Sequence, residues 1–172
     1  MVESSDTLHG ASPFVPVDDK AIAAFFSNLL GREVHVSDSA QQDLAADGTV
    51  IAAYSQRGDR ADALCVLDIC AAASLAVAGS IVEAGKFEAA LRRKSLDSVL
   101  RQRLHALCEF GGSLFSSSSA QANGERLMLI DTMEIAEAWQ EVRTMLEHSS
   151  ESRSFQITIL DGYNGQLTLL TR

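Results

Sequence analysis

Hydrophobic and polar positions alternate with two periods along this chain, and the changes of period mark its elements. Ile22, Phe25, Phe26, Leu29 and Leu30 fall on one face of a helix from Asp18 to Leu30, with Asp18 or Asp19 to cap it and Gly31 to end it. From Arg32 to Ser37 apolar and polar residues alternate singly, the period of a half-buried strand. The polar segment from Asp38 to Gly48 has room for a short crossover helix. Thr49 to Ser55 and Asp62 to Leu67 then read as two strands joined by the hairpin loop Gln56 to Arg60. Asp68 stands where it can cap the Ala-rich helix that follows.

The order then repeats. A helix from Leu96 to Phe115 carries the apolar stripe Leu100, Leu104, Leu107, Cys108, Gly111, Leu114 and Phe115. Half a turn of the wheel away lie Ser98, Gln102, His105, Glu109 and Gly112. A serine-rich loop containing Asn123-Gly124 leads to a strand from Arg126 to Asp131 and a helix from Glu134 to Glu147. Ser154 to Leu160 and Gln166 to Leu170 close the chain as a hairpin. Both halves thus run helix, strand, crossover, hairpin, although residue-level identity between them is absent. The pattern predicts an α+β fold: a mostly antiparallel sheet, with two long helices and a pseudo-twofold duplication of element order. Residues 17–172 are expected to form one domain and residues 1–16 a disordered tail. Leu104 and Leu107 should be buried, Gln102 and Glu109 exposed.

The segment Ala106-Leu107-Cys108-Glu109-Phe110-Gly111-Gly112 resembles the signature helix of the CheC/CheX/FliY phosphatases of bacterial chemotaxis. There a polar residue is followed four positions later by Glu and three after that by Asn. The resemblance implies a duplicated fold of this kind and a partner with a phosphorylated aspartate, the receiver domain of a response regulator. It also implies roles: the Asn amide orients the attacking water and the Glu docks the receiver. Glu109 fits the docking place and His105 the preceding polar one, whereas Gly112 stands where the Asn belongs. In the first helix Phe26-Ser27-Asn28-Leu29-Leu30-Gly31 echoes the pattern at Asn28, but Phe25 occupies the acid's place. One helix thus has the acid without the amide and the other the amide without the acid.

The implied function is receiver binding in chemotaxis or two-component signalling, with Gln102, His105, Glu109 and Gly112 on the binding face and a degenerate phosphatase site. One alternative is an active aspartyl-phosphate phosphatase in which Asn28, Gln102 or a loop residue positions the water. Another is a self-associating structural module, a homodimer formed through a sheet edge near the apolar run Leu167 to Leu170. No cofactor is expected, since any Mg would sit in the receiver. Because Gly112 lies on the outward strip, an Asn there should be tolerated. The ordinary reading of Glu109 is an i, i+4 pair with His105, and that of Asn28 a polar residue near a helix end.

Composition narrows the partners. With a net charge of −9 and a pI near 4.8, the surface repels phosphate backbones and anionic headgroups, so nucleic acid and membranes are poor candidates. The apolar stretch Ile69 to Val82 is short of the roughly 20 residues a membrane crossing needs, and Met1 to Pro16 lacks the basic and apolar regions of a secretory signal. Three cysteines, an odd number within apolar segments, suit free thiols and a cytoplasmic protein. Cys65, Cys70, His105 and Cys108 only loosely imitate a zinc set, because His105 and Cys108 fall on opposite helix faces, so no metal site is expected. No Gly-rich loop follows a strand, and no placed base activates the Ser116 to Ser119 run. Ile135, Trp139, Val142 and Leu146 share one helix face and read as core.

Overall fold

Six strands from the two halves interleave in one sheet. The computed structural model describes residues 13–78, 85–117 and 126–172. The first half supplies β2 (His35–Asp38), β3 (Val50–Ser55) and β4 (Ala63–Leu67), and the second β6 (Met128–Glu134), β7 (Glu151–Thr158) and β8 (Asn164–Thr171). Their order is β2-β7-β8-β4-β3-β6, with every pairing antiparallel. Each half's hairpin meets the other's at the β8–β4 seam, and each half's lone strand pairs with the hairpin of the other half. The repeated element order is therefore a pseudo-twofold arrangement within an α+β fold.

Strand alternation divides the core. Val50, Ala52 and Tyr54 on β3, with Ala63, Cys65 and Leu67 on β4, face one layer of helices. Ile51, Ala53, Leu64 and Val66 face the other side, beneath α5 (Gln140–His148). The first layer holds α1 (Asp19–Leu30), α2 (Ile69–Val77), α3 (Lys86–Arg93) and α4 (Ser98–Cys108). The middle of this layer belongs to α2, which touches β8, α3 and α4. It settles closely because β8 has Gly165 beneath it: a Cβ there would stand 2.5 Å from the backbone nitrogen of Ala71.

Several boundaries differ from expectation. Phe14–Pro16 is no tail: it forms β1, paired with β5 (Phe115–Ser117), and buries Phe14 and Pro16. Residues 1–12 lie outside the described residues, as do Ser118, Ser119 and Asn123-Gly124. The strand expected from Arg32 begins only at His35. Residues 39–49 form turns rather than a helix, with the Asp43 side chain accepting from the Ala45 N–H and Leu44 anchored in the second core. Residues 134–147 split into a 3-10 turn, Ile135–Glu137, and then α5, for which Trp139 is the N-terminal flank and only partly buried. The run Leu167 to Leu170 is buried between β7 and β4, so it offers no sheet edge, and the reason for a homodimer there disappears. The outer strands are β2 and β6.

The long helix is also interrupted. It ends at Cys108, passes through a 3-10 turn at Gly111–Leu114 and enters β5 at Phe115. The cause lies across the core, where the Tyr54 hydroxyl donates to the Cys108 carbonyl at 2.8 Å. That carbonyl is one of those a helix end leaves without a partner.

Candidate functional site

The outer surface of α4 is held at its start and along its length. At its start the Asp97 carboxylate accepts from the Leu100 N–H at 2.9 Å and from Lys86 Nζ at 2.7 Å. The connection before it is fastened to β6: Glu134 accepts from Ser95 Oγ at 2.8 Å and from the Leu96 N–H at 3.3 Å, and pairs with Arg101 at 2.8 Å. Midway, His105 Nδ1 lies 3.0 Å from Thr132 Oγ1. Half-buried against β6, His105 does not pair with Glu109, and the expected i, i+4 contact gives way to this one.

Of the expected outward strip, Gln102 and Glu109 are exposed. They are seven residues apart, about 10 Å along the axis. Leu104 is fully buried, but Leu107 is only partly so and packs at the margin of the core. Glu109 sits just past the last helical residue, where its N–H bonds to the carbonyls of His105 and Leu107. A carboxylate at a helix C-terminus opposes the macrodipole, so Glu109 does not serve the helix.

Beside it Phe110 is 59% exposed, and Phe110, Glu109, Ser113, Phe14 and Arg126 line a groove of about 400 Å³. Phe110, Ser113 and Arg126 were missed from the sequence. Phe110 had a signal, a large apolar residue off the helix stripe, while Arg126 is brought there by the chain's return to β6.

Gly112 is half-buried and lines the same groove, but the direction a side chain would take from it is closed. A Cβ at this position would stand 2.2 Å from the Leu127 carbonyl oxygen. No side chain fits without moving the backbone, so Asn at 112 is not tolerated as expected. Gly111 is similarly confined, with a Cβ there 2.0 Å from Tyr54 Oη. Both glycines mark close approaches required by packing.

Asn28 is exposed on α1. Phe25, in the acid's place, packs edge-on to Phe26 with ring centroids 5.0 Å apart, and both phenylalanines adjoin Leu104 and Leu107. Burial pushes the Cys108 thiol up to about 12 and holds Cys65 well above the ordinary thiol range, and it also raises half-buried Cys70. None of these thiols is a nucleophile near neutrality. Burial likewise raises the Tyr54 phenol, which stays protonated and able to donate. Among the described residues no three His, Cys, Asp or Glu side chains converge on a metal position, and no helix is long and apolar enough to cross a membrane.

No protein-family model matches the chain. No curated protein matches it either. Solved structures similar to it include Thermotoga maritima FliY, at 12% identity, with 88% of this chain and 82% of that one covered and a TM-score of 0.48. A FliM middle domain from Vibrio alginolyticus matches at 12% identity, covering 89% and 87%, with a TM-score of 0.45. FliM from a FliM-SpeE complex of H. pylori matches at 9% identity, covering 89% and 80%, with a TM-score of 0.47. At such identities and scores, no residue's role carries over from these structures.

Proposed function

We propose that this chain is a non-catalytic docking module for a receiver domain in chemotaxis-type signalling, engaged through the Glu109–Phe110 end of α4. The observation that carries the reading is the closure of position 112 by the Leu127 carbonyl, 2.2 Å from any Cβ built there. Hydrolysis of an acyl phosphate needs a water held in line with phosphorus, and positioning is most of that catalysis. The place for the orienting amide in the resembling motif is filled by backbone. Docking needs less: an exposed carboxylate on a rigid element, with an apolar neighbour to exclude water around the contact. Glu109 and Phe110 supply both, and α4 is pinned at its start and along its length.

The test uses receiver domains of the two-component class, held in the phosphorylated form with beryllofluoride for binding and labelled with radioactive phosphate for decay. Binding should weaken roughly tenfold or more in Glu109→Ala, equivalent to about 1.4 kcal/mol. The lifetime of the phosphorylated receiver should be unchanged by the unmodified protein. Accelerated hydrolysis would make the chain a phosphatase and return Asn28 and Gln102 as the water-positioning candidates. A second reading, self-association, is favoured by one observation: β6 is an outer strand with Met128 57% exposed. Sedimentation of the chain alone, with and without Met128→Lys, distinguishes it.

A further inference from the structure

Although the chain is acidic overall, residues 86–103 hold six of its 14 lysines and arginines against two carboxylates, Glu88 and Asp97. Within the fold Lys86 pairs with Asp97, and Arg101 with Glu134 and Glu137. Arg92, Arg93 and Lys94 are consecutive and exposed. Among the described residues no carboxylate pairs with any of them, Glu88 one turn before Arg92 included.

The ordinary explanation is the helix end, since cations there gain about 0.3–1 kcal/mol from the dipole. That accounts for Arg92 and Arg93 but not for Lys94. Lys94 is the one described non-glycine residue at positive φ, 51°, and its N–H closes α3 on the Ala90 carbonyl. Gly or Asn would make the same turn with less strain. Among the described residues no carboxylate balances this third like charge.

The corner is also built to present these charges. Glu134 pins Ser95 and Leu96, and Asp97 ties α4 to Lys86 of α3. In the first turn of α4 Val99 is 41% exposed. A groove of about 280 Å³ runs between α3 and α4 over the small side chains Ala89 and Ala90, with Arg93 and Lys86 along it.

We propose that the α3–α4 corner docks an acidic segment of a partner protein, its carboxylates on Arg92, Arg93 and Lys94 and an apolar side chain over Ala89 and Ala90. A short acidic segment fits where an extended polyanion does not. Net charge of −9 repels nucleic acid and anionic bilayers at distances beyond the patch, and three cations contribute only about 1 kcal/mol each at a lipid surface. Tyr163, 38% exposed and edge-on to Phe87 of α3 with ring centroids 4.6 Å apart, is a single ring there, where binding a strand takes successive stacked bases. Glu109 lies at the other end of α4, about 15 Å away, so this surface is independent of the receiver reading.

The probe is a fluorescein-labelled amphipathic peptide with glutamates on one face and leucines on the other, followed by anisotropy against the full chain. Binding should be salt-sensitive and absent for the same peptide with glutamine in place of glutamate. The triple variant Arg92→Glu, Arg93→Glu, Lys94→Glu should weaken it at least roughly tenfold, comparable to the 1.4 kcal/mol of a charge-assisted contact. The variant Lys20→Glu, Arg32→Glu, Arg57→Glu makes the same charge change at other exposed sites and should leave it within about twofold. Circular-dichroism melts confirm that both remain folded. Equal losses in the two triples, or no preference for glutamate over glutamine, would overturn the proposal. So would corner-dependent binding to phosphatidylserine vesicles or to oligothymidylate exceeding that to the peptide.

Discussion

The helices α1 and α4 open corresponding halves, and both are capped by an aspartate: Asp18 accepts from the Ala21 N–H at 2.8 Å, Asp97 from the Leu100 N–H at 2.9 Å. Each is followed by glycine, but for different physical reasons. Gly31 has φ 63° and a Cβ there would touch nothing, so its need is conformational. Gly111 and Gly112 have no positive φ, yet a Cβ on either would run into Tyr54 Oη or the Leu127 carbonyl. Their need is for absent volume. The same residue type, directly after α1 but three residues past the end of α4, thus turns the chain in one place and lets the core close over it in the other. A motif read as a lost catalytic amide is, in the folded chain, a packing requirement that leaves the amide no room.

The largest effect that would break this contrast is at Gly111. Gly111→Ala should cost about 3 kcal/mol in denaturant melts, the upper part of the range for overpacking, because Tyr54 is buried and bonded to Cys108. Adding Tyr54→Phe should recover part of the loss, since it removes the atom at 2.0 Å and leaves the ring carbon at 2.8 Å. Full recovery would mean the hydroxyl alone sets the limit. Gly112→Asn should cost about 2 kcal/mol by the same mechanism, and no dephosphorylating activity should appear. A stable, active Asn variant would show that Leu127 yields easily and that only the amide was missing. Gly31→Ala should cost about 1 kcal/mol, the strain of a left-handed turn without a clash; a larger loss there would erase the distinction.

Much of the fold was legible because period and capping are local signals. Alternation marked the strands, though not their order, and Asp18 and Asp68 cap the helices that follow them as expected, while Asp97, placed inside the expected helix, proves to cap α4. What was not legible depends on contacts remote in sequence. The stripe Leu104, Cys108, Gly111, Leu114 keeps helical spacing straight through the break at Cys108, and only Tyr54, 54 residues earlier, shows why the helix stops. His105 looked solvent-facing on the wheel until Thr132 of β6 was placed beside it. Phe14–Pro16 carries too few residues to announce a strand, and its pairing with β5 supplies what length does not. At the site, Glu109 and Gln102 stayed where the wheel put them, while Gly112 did not, because a wheel shows direction and not what lies above it. The cations at 92–94 were visible as letters. That no described carboxylate pairs with them became evident only once Lys86 and Arg101 had claimed Asp97, Glu134 and Glu137.

The smallest effect separates the two aspartate caps. Asp97 differs from Asp18 in also receiving a hydrogen bond from Lys86, and this bond, with the Leu100 N–H next, holds its carboxyl below the ordinary value of 3.8. A carboxylate whose folded value is depressed adds stability above its unfolded value, and that addition fades as pH falls through the folded one. Asn caps a helix about as well as Asp, so Asp97→Asn keeps the cap and removes only the charge. The pair is partly solvated, and its loss should cost under about 1 kcal/mol at neutral pH. Melts of the variant and the unmodified chain should therefore differ slightly at pH 7 and converge as pH falls through the depressed folded value of Asp97, with the gap narrowed by added salt. Asp18→Asn, which removes no such ion pair, should differ less than Asp97→Asn at pH 7. A gap at Asp97 that persists in strong acid would assign the effect to cap geometry rather than to Lys86, and the two helices would then begin alike and differ only where they end.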